Sequence, residues 1–182
     1  MKLPELFTGA KTPAMWEERR KEILTLLGQY EYGITPEIRL EKVTYTTPFI
    51  LELAGGIQYE THRVFFKADD KFCSMRFEIF FRPSGKPIPS ILMIDVFDSS
   101  PDNLQYPDLS GKMQNRLPYD YITAQGYAAV LIHVNDICND DPATFERGIM
   151  EIAPREGENG WGAIGAWAWG TSRVVDYILP VS

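Results

Sequence analysis

The chain has 182 residues, 45% of them apolar and 24% charged, with a formal net charge of −7. That size and apolar content suit one folded domain over residues 1–182 and exclude a disordered chain. The charge speaks against a nucleic-acid or anionic-membrane partner, the Arg19-Arg20-Lys21 cluster being too short to reverse it, and no apolar run reaches the roughly 18 residues of a membrane span.

Thr12-Pro13 followed by Trp16, Ile23, Leu24 and Leu27 predicts an N-terminal helix, with Thr12 as its cap and Gly28 as its stop. Trp16 and Tyr30 read as packing residues. From Ile38 to Arg82 the period changes to two, so Arg39–Thr46, Ile57–Lys67 and Ser74–Arg82 predict antiparallel strands. Gly55-Gly56 and Ala68–Lys71 supply the turns, and His62 reads as a surface or edge residue of the second strand.

Ile91–Val96 is nearly continuous apolar sequence, the mark of a parallel strand covered on both faces. A polar loop, Phe97–Asn115, leads to a helix at Leu117–Gln125 closed by Gly126, and Tyr127–Val134 is a second buried strand. Strand, helix and strand predict a right-handed crossover. A loop from Asn135 to Pro142 and the segment Ala143–Ile152 follow. In Trp161–Ser182, the residues Ile164, Trp167, Ala168, Thr171, Val174, Val175 and Ile178 recur at helical spacing, and Pro180 ends the pattern. Gly162, Gly165 and Gly170 each weaken such a helix by roughly 1 kcal/mol, a cost accepted where another element comes close. The fold class is α/β: N-terminal antiparallel strands running into a parallel β-α-β sheet flanked by helices. MKLPELFTGAKTP lacks the apolar core of a signal peptide, so a cytoplasmic location is expected, with Cys73 and Cys138 as free, buried thiols.

Four segments, WEERRKEILTLLGQYEYG, the Gly-Lys-Pro-Ile-Pro entry to Ile91, GYAAVLIHVNDICNDDPATFERG and WGAIGAWAWGTSRVVDYI, resemble in order and spacing the glucuronoyl esterases and acetyl xylan esterases of the α/β-hydrolase superfamily. The resemblance covers the chain except its last four residues. It implies a partial α/β-hydrolase fold and a Ser-His-acid esterase acting on carbohydrate or uronate esters. The family's nucleophile elbow, acid and histidine fall beyond Ser182, so no catalytic residue is carried over. The expectation is a truncated esterase without hydrolytic activity alone. Gly170-Thr171-Ser172-Arg173 imitates the start of an elbow, but Trp167-Ala168-Trp169 continues a helical pattern and Val174 stands where a small residue is needed. Ser172 therefore reads as a helix residue bonded to a carbonyl one turn back.

His133, Asp136, Asp140 and Asp141 cluster after the second buried strand, at the carboxyl end of the sheet where α/β proteins bind ligands. Loop aspartates of this kind are normally solvated or capping, and one histidine makes a poor transition-metal site, so no metal and no cofactor is expected. Asp95, Asp98, Ser99 and Ser100 lie where hydrolases place an oxyanion-hole N–H, and they read as Asx-type turns. His133, Asp136 and Asp98 stand as the candidate binding residues.

In the strand order that the resemblance implies, the elbow strand lies beside Ile91–Val96, leaving that strand as an open edge. It is expected to be covered by the same strand of a second copy, giving a homo-oligomer, or by the chain's own tail or a loop. Two other readings stand beside this one. The first is half of a split carbohydrate esterase completed by a partner chain. The second is a non-catalytic carbohydrate-binding module using Trp161, Trp167, Trp169 and Tyr119.

Overall fold

The two longest alternating stretches form the longest strands of the computed structural model, which describes residues 9–46, 48–95 and 117–179. These are β3 (Ile57–Ala68) and β4 (Lys71–Phe81), joined by a tight turn in which Asp69 takes a positive φ of 53°. Two short strands, β1 (Lys42–Tyr45) and β2 (Phe49–Leu53), pair antiparallel with successive halves of β3 along one edge. On the other side β4 pairs antiparallel with β6 (Ala128–His133), and β6 pairs parallel with β5 (Ser90–Asp95). The order is β1-β3-β4-β6-β5, with β2 also beside β3. A short helix, α2 (Tyr119–Ala124), lies between β5 and β6 in sequence, and Gly126 closes it at φ 84°. β2 was not foreseen: Phe49 and Ile50 are exposed, so the segment lacks the half-buried alternation that marks a strand.

Alternate residues of a strand face opposite ways, so each strand contributes to two cores. On one face Val64, Phe66, Met75, Phe77, Val130 and Ile132 pack beneath α3 (Val134–Ile137), α4 (Ile149–Ile152) and α5 (Ala163–Ile178). On the other, Tyr59, Phe80, Ala129 and Leu131 pack under Leu117 and Tyr119. Every residue of β6 is buried, as its unbroken apolar run requires.

Helix α1 (Pro13–Leu27) starts as expected, with Thr12 Oγ1 accepting from Met15 N at 3.3 Å. None of its residues is buried, and Tyr30 is 75% exposed, which corrects the reading of Tyr30 as a packing residue. Gly28 is not the stop either. Its φ of −64° is helical, and the chain continues through it as a π-helical turn, Gly28–Tyr32. Gly33 ends the turn at φ 81°, where a Cβ would sit 2.4 Å from Gly160 O.

The buried stripe of α5 is Ala166, Gly170 and Val174, while Ile164 and Ala168, expected in the core, are exposed. The small residues set this rotation. A Cβ on Gly170 would lie 2.5 Å from Ile137 Cδ1, so the glycine is what lets α5 lie against α3. Trp167 sits at the border and donates from Nε1 to Cys138 O at 2.7 Å. The helix ends at Ile178; Pro180 lies outside the described residues.

β5 departs from the doubly covered strand read from its sequence. It is last in the sheet order, and Ile91 and Ile94, on opposite faces, are 44% and 42% exposed. Among the described residues no strand pairs with its outer side.

Candidate functional site

The polar groups with chemical potential gather where β4, β5 and β6 meet, at the carboxyl ends of the parallel pair. In the ladder Asp95 stands opposite His133, and Leu131 opposite Glu78. Because β6 runs straight into α3, the chain turns back over β4 within three residues of His133. That turn separates the residues grouped by sequence.

His133 meets Glu78, with Nε2 to Oε1 at 3.0 Å and both side chains almost fully buried. Asp136 instead grips Arg76. Its Oδ2 accepts from the backbone N at 3.1 Å and from Nε at 2.7 Å, and its Oδ1 accepts from the guanidinium at 3.2 Å. Burial works against the Arg76 charge, but the Asp136 bond and charge, then Glu78, outweigh it and hold the pKa above its ordinary value. Tyr59, hydrogen-bonded to Thr61, is pushed well up by burial and by the Glu78 charge, so its phenol stays neutral.

Asp140 and Asp141 are exposed and do not join this cluster. Asp141 caps the next turn, accepting from Ala143 N at 3.0 Å and from Thr144 Oγ1 at 3.4 Å. Asp98, Ser99 and Ser100 lie outside the described residues. Ser172 sits within α5, its hydroxyl donating to Ala168 O at 3.0 Å. The four aromatics named for sugar stacking serve packing. Trp161 is fully buried with Nε1 donating to Ala153 O, Tyr119 stacks on Phe80 at 4.4 Å, and Trp169 meets Phe66 edge-on. Cys138 is a buried free thiol and Cys73 a half-buried one.

His62 corrects the sequence reading most sharply. It is 1% exposed, bonded to Glu60 Oε2 at 2.8 Å, stacked on Phe77 at 4.9 Å and faced by Tyr177 of α5. The signal lay in the spacing, since residues two apart on a strand share a face and Glu60 is two before His62.

The arrangement supplies a buried His133–Glu78 hydrogen bond and a half-buried Arg76–Asp136 ion pair that tie β4 to β6 and α3, which is positioning chemistry. Among the described residues no group of three or more His, Cys, Asp or Glu is placed to hold a metal ion. No described helix is long and apolar enough to cross a membrane.

No family model and no curated protein sequence matches the chain. Solved structures do. A glucuronoyl esterase from Solibacter usitatus superposes with a TM-score of 0.77 at 24% identity, covering 97% of this chain and 53% of that one. A CE15 glucuronoyl esterase from Teredinibacter turnerae gives 0.71 at 19%, covering 96% and 46%. The glucuronoyl esterase from Sporotrichum thermophile gives 0.60 at 22%, covering 96% and 40%. These likenesses establish a partial α/β-hydrolase fold: a six-stranded mixed sheet flanked by helices. The chain spans about half the length of the structures it matches.

Proposed function

We propose that these 182 residues form half of a carbohydrate-ester hydrolase scaffold, of the glucuronoyl or acetyl xylan esterase type, inactive alone and self-associating through the outer edge of β5. The carrying observation is that, among the described residues, β5 is both apolar and terminal in the sheet, with Ile91 and Ile94 exposed on its two faces. An apolar strand at the edge of a sheet is a template for another strand. A two-fold axis beside it sets two copies of β5 antiparallel in one continuous sheet. The inactivity rests on the sequence. A nucleophile elbow needs its serine on a strained strand-to-helix turn between small residues, and Ser172, the one serine in a similar setting, is a mid-helix residue. The purified chain is expected to release no acid from glucuronoyl or acetyl esters above the buffer rate. Hydrolysis that disappears in a Ser172→Ala variant overturns the proposal.

A second reading, a split esterase completed by a separate chain, is favoured by one observation: nearly all of this chain matches about half of each neighbour. Mixing the chain with the complementary half of the Solibacter usitatus esterase separates the two readings. Activity present only in the mixture supports completion by a partner.

A further inference from the structure

From the geometry we infer a binding site for a small alkylammonium cation, made of two hollows that meet at Tyr32 and Gly33. The first is a cleft of about 280 Å³ between the π-helical turn Gly28–Tyr32 and the loop 155–160. The second is a groove of about 460 Å³ along the exposed side of α5, and Tyr32 and Gly33 line both. The walls are fixed to one another. Ile34 N donates to Asn159 O at 2.8 Å, Gly162 N donates to Tyr32 O at 3.3 Å, and a Cβ on Gly33 would lie 2.4 Å from Gly160 O.

The two hollows differ in chemistry. The cleft is lined by Glu31 and Glu158 and by Tyr30 and Tyr32, whose side chains stand 75% and 43% exposed. Its one base, Arg155, is engaged within its own loop, donating to Glu158 O at 2.8 Å. Two acids against one base, on a chain of net charge −7, turn away phosphates and carboxylates and draw cations. Tyrosine faces attract an organic ammonium through its charge. A metal ion needs more ligands than two carboxylates, and among the described residues no group of three or more His, Cys, Asp or Glu is placed to hold one. The groove is apolar by contrast. Ile164, 56% exposed, and Ala168 stand one turn apart on α5, beside Gly165 and Trp169. A hydrocarbon chain laid there takes this surface out of water. The ligand that fills both hollows has a positive head and an alkyl tail. This inference does not depend on the ester-hydrolase reading, since it involves neither a triad nor an ester.

The test is a titration of the ¹⁵N-labelled chain with tetramethylammonium, hexyltrimethylammonium and hexyl sulfate, followed by amide shifts. Saturable shifts from hexyltrimethylammonium are expected in 28–35 and 155–172, the residues that line the two hollows and their connections. It should bind about tenfold or more tightly than tetramethylammonium, because its hexyl chain leaves water. Glu31→Gln should weaken both cations about threefold, and Ile164→Ala should reduce the advantage of the longer one alone, with the circular dichroism spectrum unchanged in each. The absence of a saturable shift up to roughly tens of millimolar overturns the inference. So do equal affinities for the two cations, hexyl sulfate bound as tightly as hexyltrimethylammonium, and folded variants that bind like the parent.

Discussion

Glu78 and His133, 55 residues apart in sequence, meet at 3.0 Å across β4 and β6 with side chains only 7% and 6% exposed. The pair sits beside the Asp136 grip on Arg76, so a buried hydrogen bond and a half-buried ion pair fasten β4 to β6 and to the α3 that follows it. Removing Glu78 deletes that buried bond, a loss of about 1–3 kcal/mol, whereas an amide in place of the acid keeps an acceptor for the ring. Glu78→Ala is therefore expected to lower stability in urea unfolding by about 1–3 kcal/mol, and Glu78→Gln by less. Parent-like stability of Glu78→Ala contradicts this role.

The buried His62 makes stability depend on pH. Burial lowers its pKa from the ordinary 6.5, and the bond to Glu60 offsets only part of that. Near pH 6.5 the unfolded chain takes up a proton that the folded chain refuses. The stability this residue provides is thus complete above that pH and declines as pH falls below it. Urea midpoints measured across that range should fall more steeply for the parent than for His62→Phe, and equal slopes would count against a neutral buried ring.

Gly170 is a contact glycine. In an exposed helix Gly→Ala stabilises by about 1 kcal/mol, but here the added Cβ meets Ile137 Cγ1 at 2.9 Å as well as Cδ1. Ile137 is buried and β-branched, so it turns aside poorly, and overpacking costs about 1–3 kcal/mol. Gly170→Ala is expected to destabilise, and Ile137→Ala in the same chain to recover part of the loss. A double-mutant cycle with no coupling contradicts the contact.

Both thiols should be unreactive while the chain is folded. Burial pushes Cys73 up to about 12 and Cys138 up to about 11, leaving little thiolate near neutral pH. Iodoacetamide is expected to label them slowly in buffer and quickly in urea, with equal rates as the contrary result.

The sheet's long strands were legible because β3, β4 and β6 carry period-two or unbroken apolar patterns, and Ser172 could be placed because Val174 rules out an elbow. The site was not legible in the same way. His133 to Glu78 and Arg76 to Asp136 span 55 and 60 residues, and periodicity carries no information on which distant strands align. The same limit applies to α5, whose buried stripe follows from where Gly170 meets Ile137 and not from the count of apolar residues. Tyr30 is exposed because neither α1 nor the π-turn that continues it through Gly28 buries any residue, which an apolar pattern alone does not reveal.

The most direct test of the account is the mass of the purified chain by light scattering at micromolar concentration, with hydrogen exchange read on β5. A mass of two chains is expected, with slow exchange along Ser90–Asp95 and reversion to one chain in Ile94→Lys, where a charge on the edge opposes strand pairing. A single-chain mass with rapidly exchanging β5 amides would contradict it.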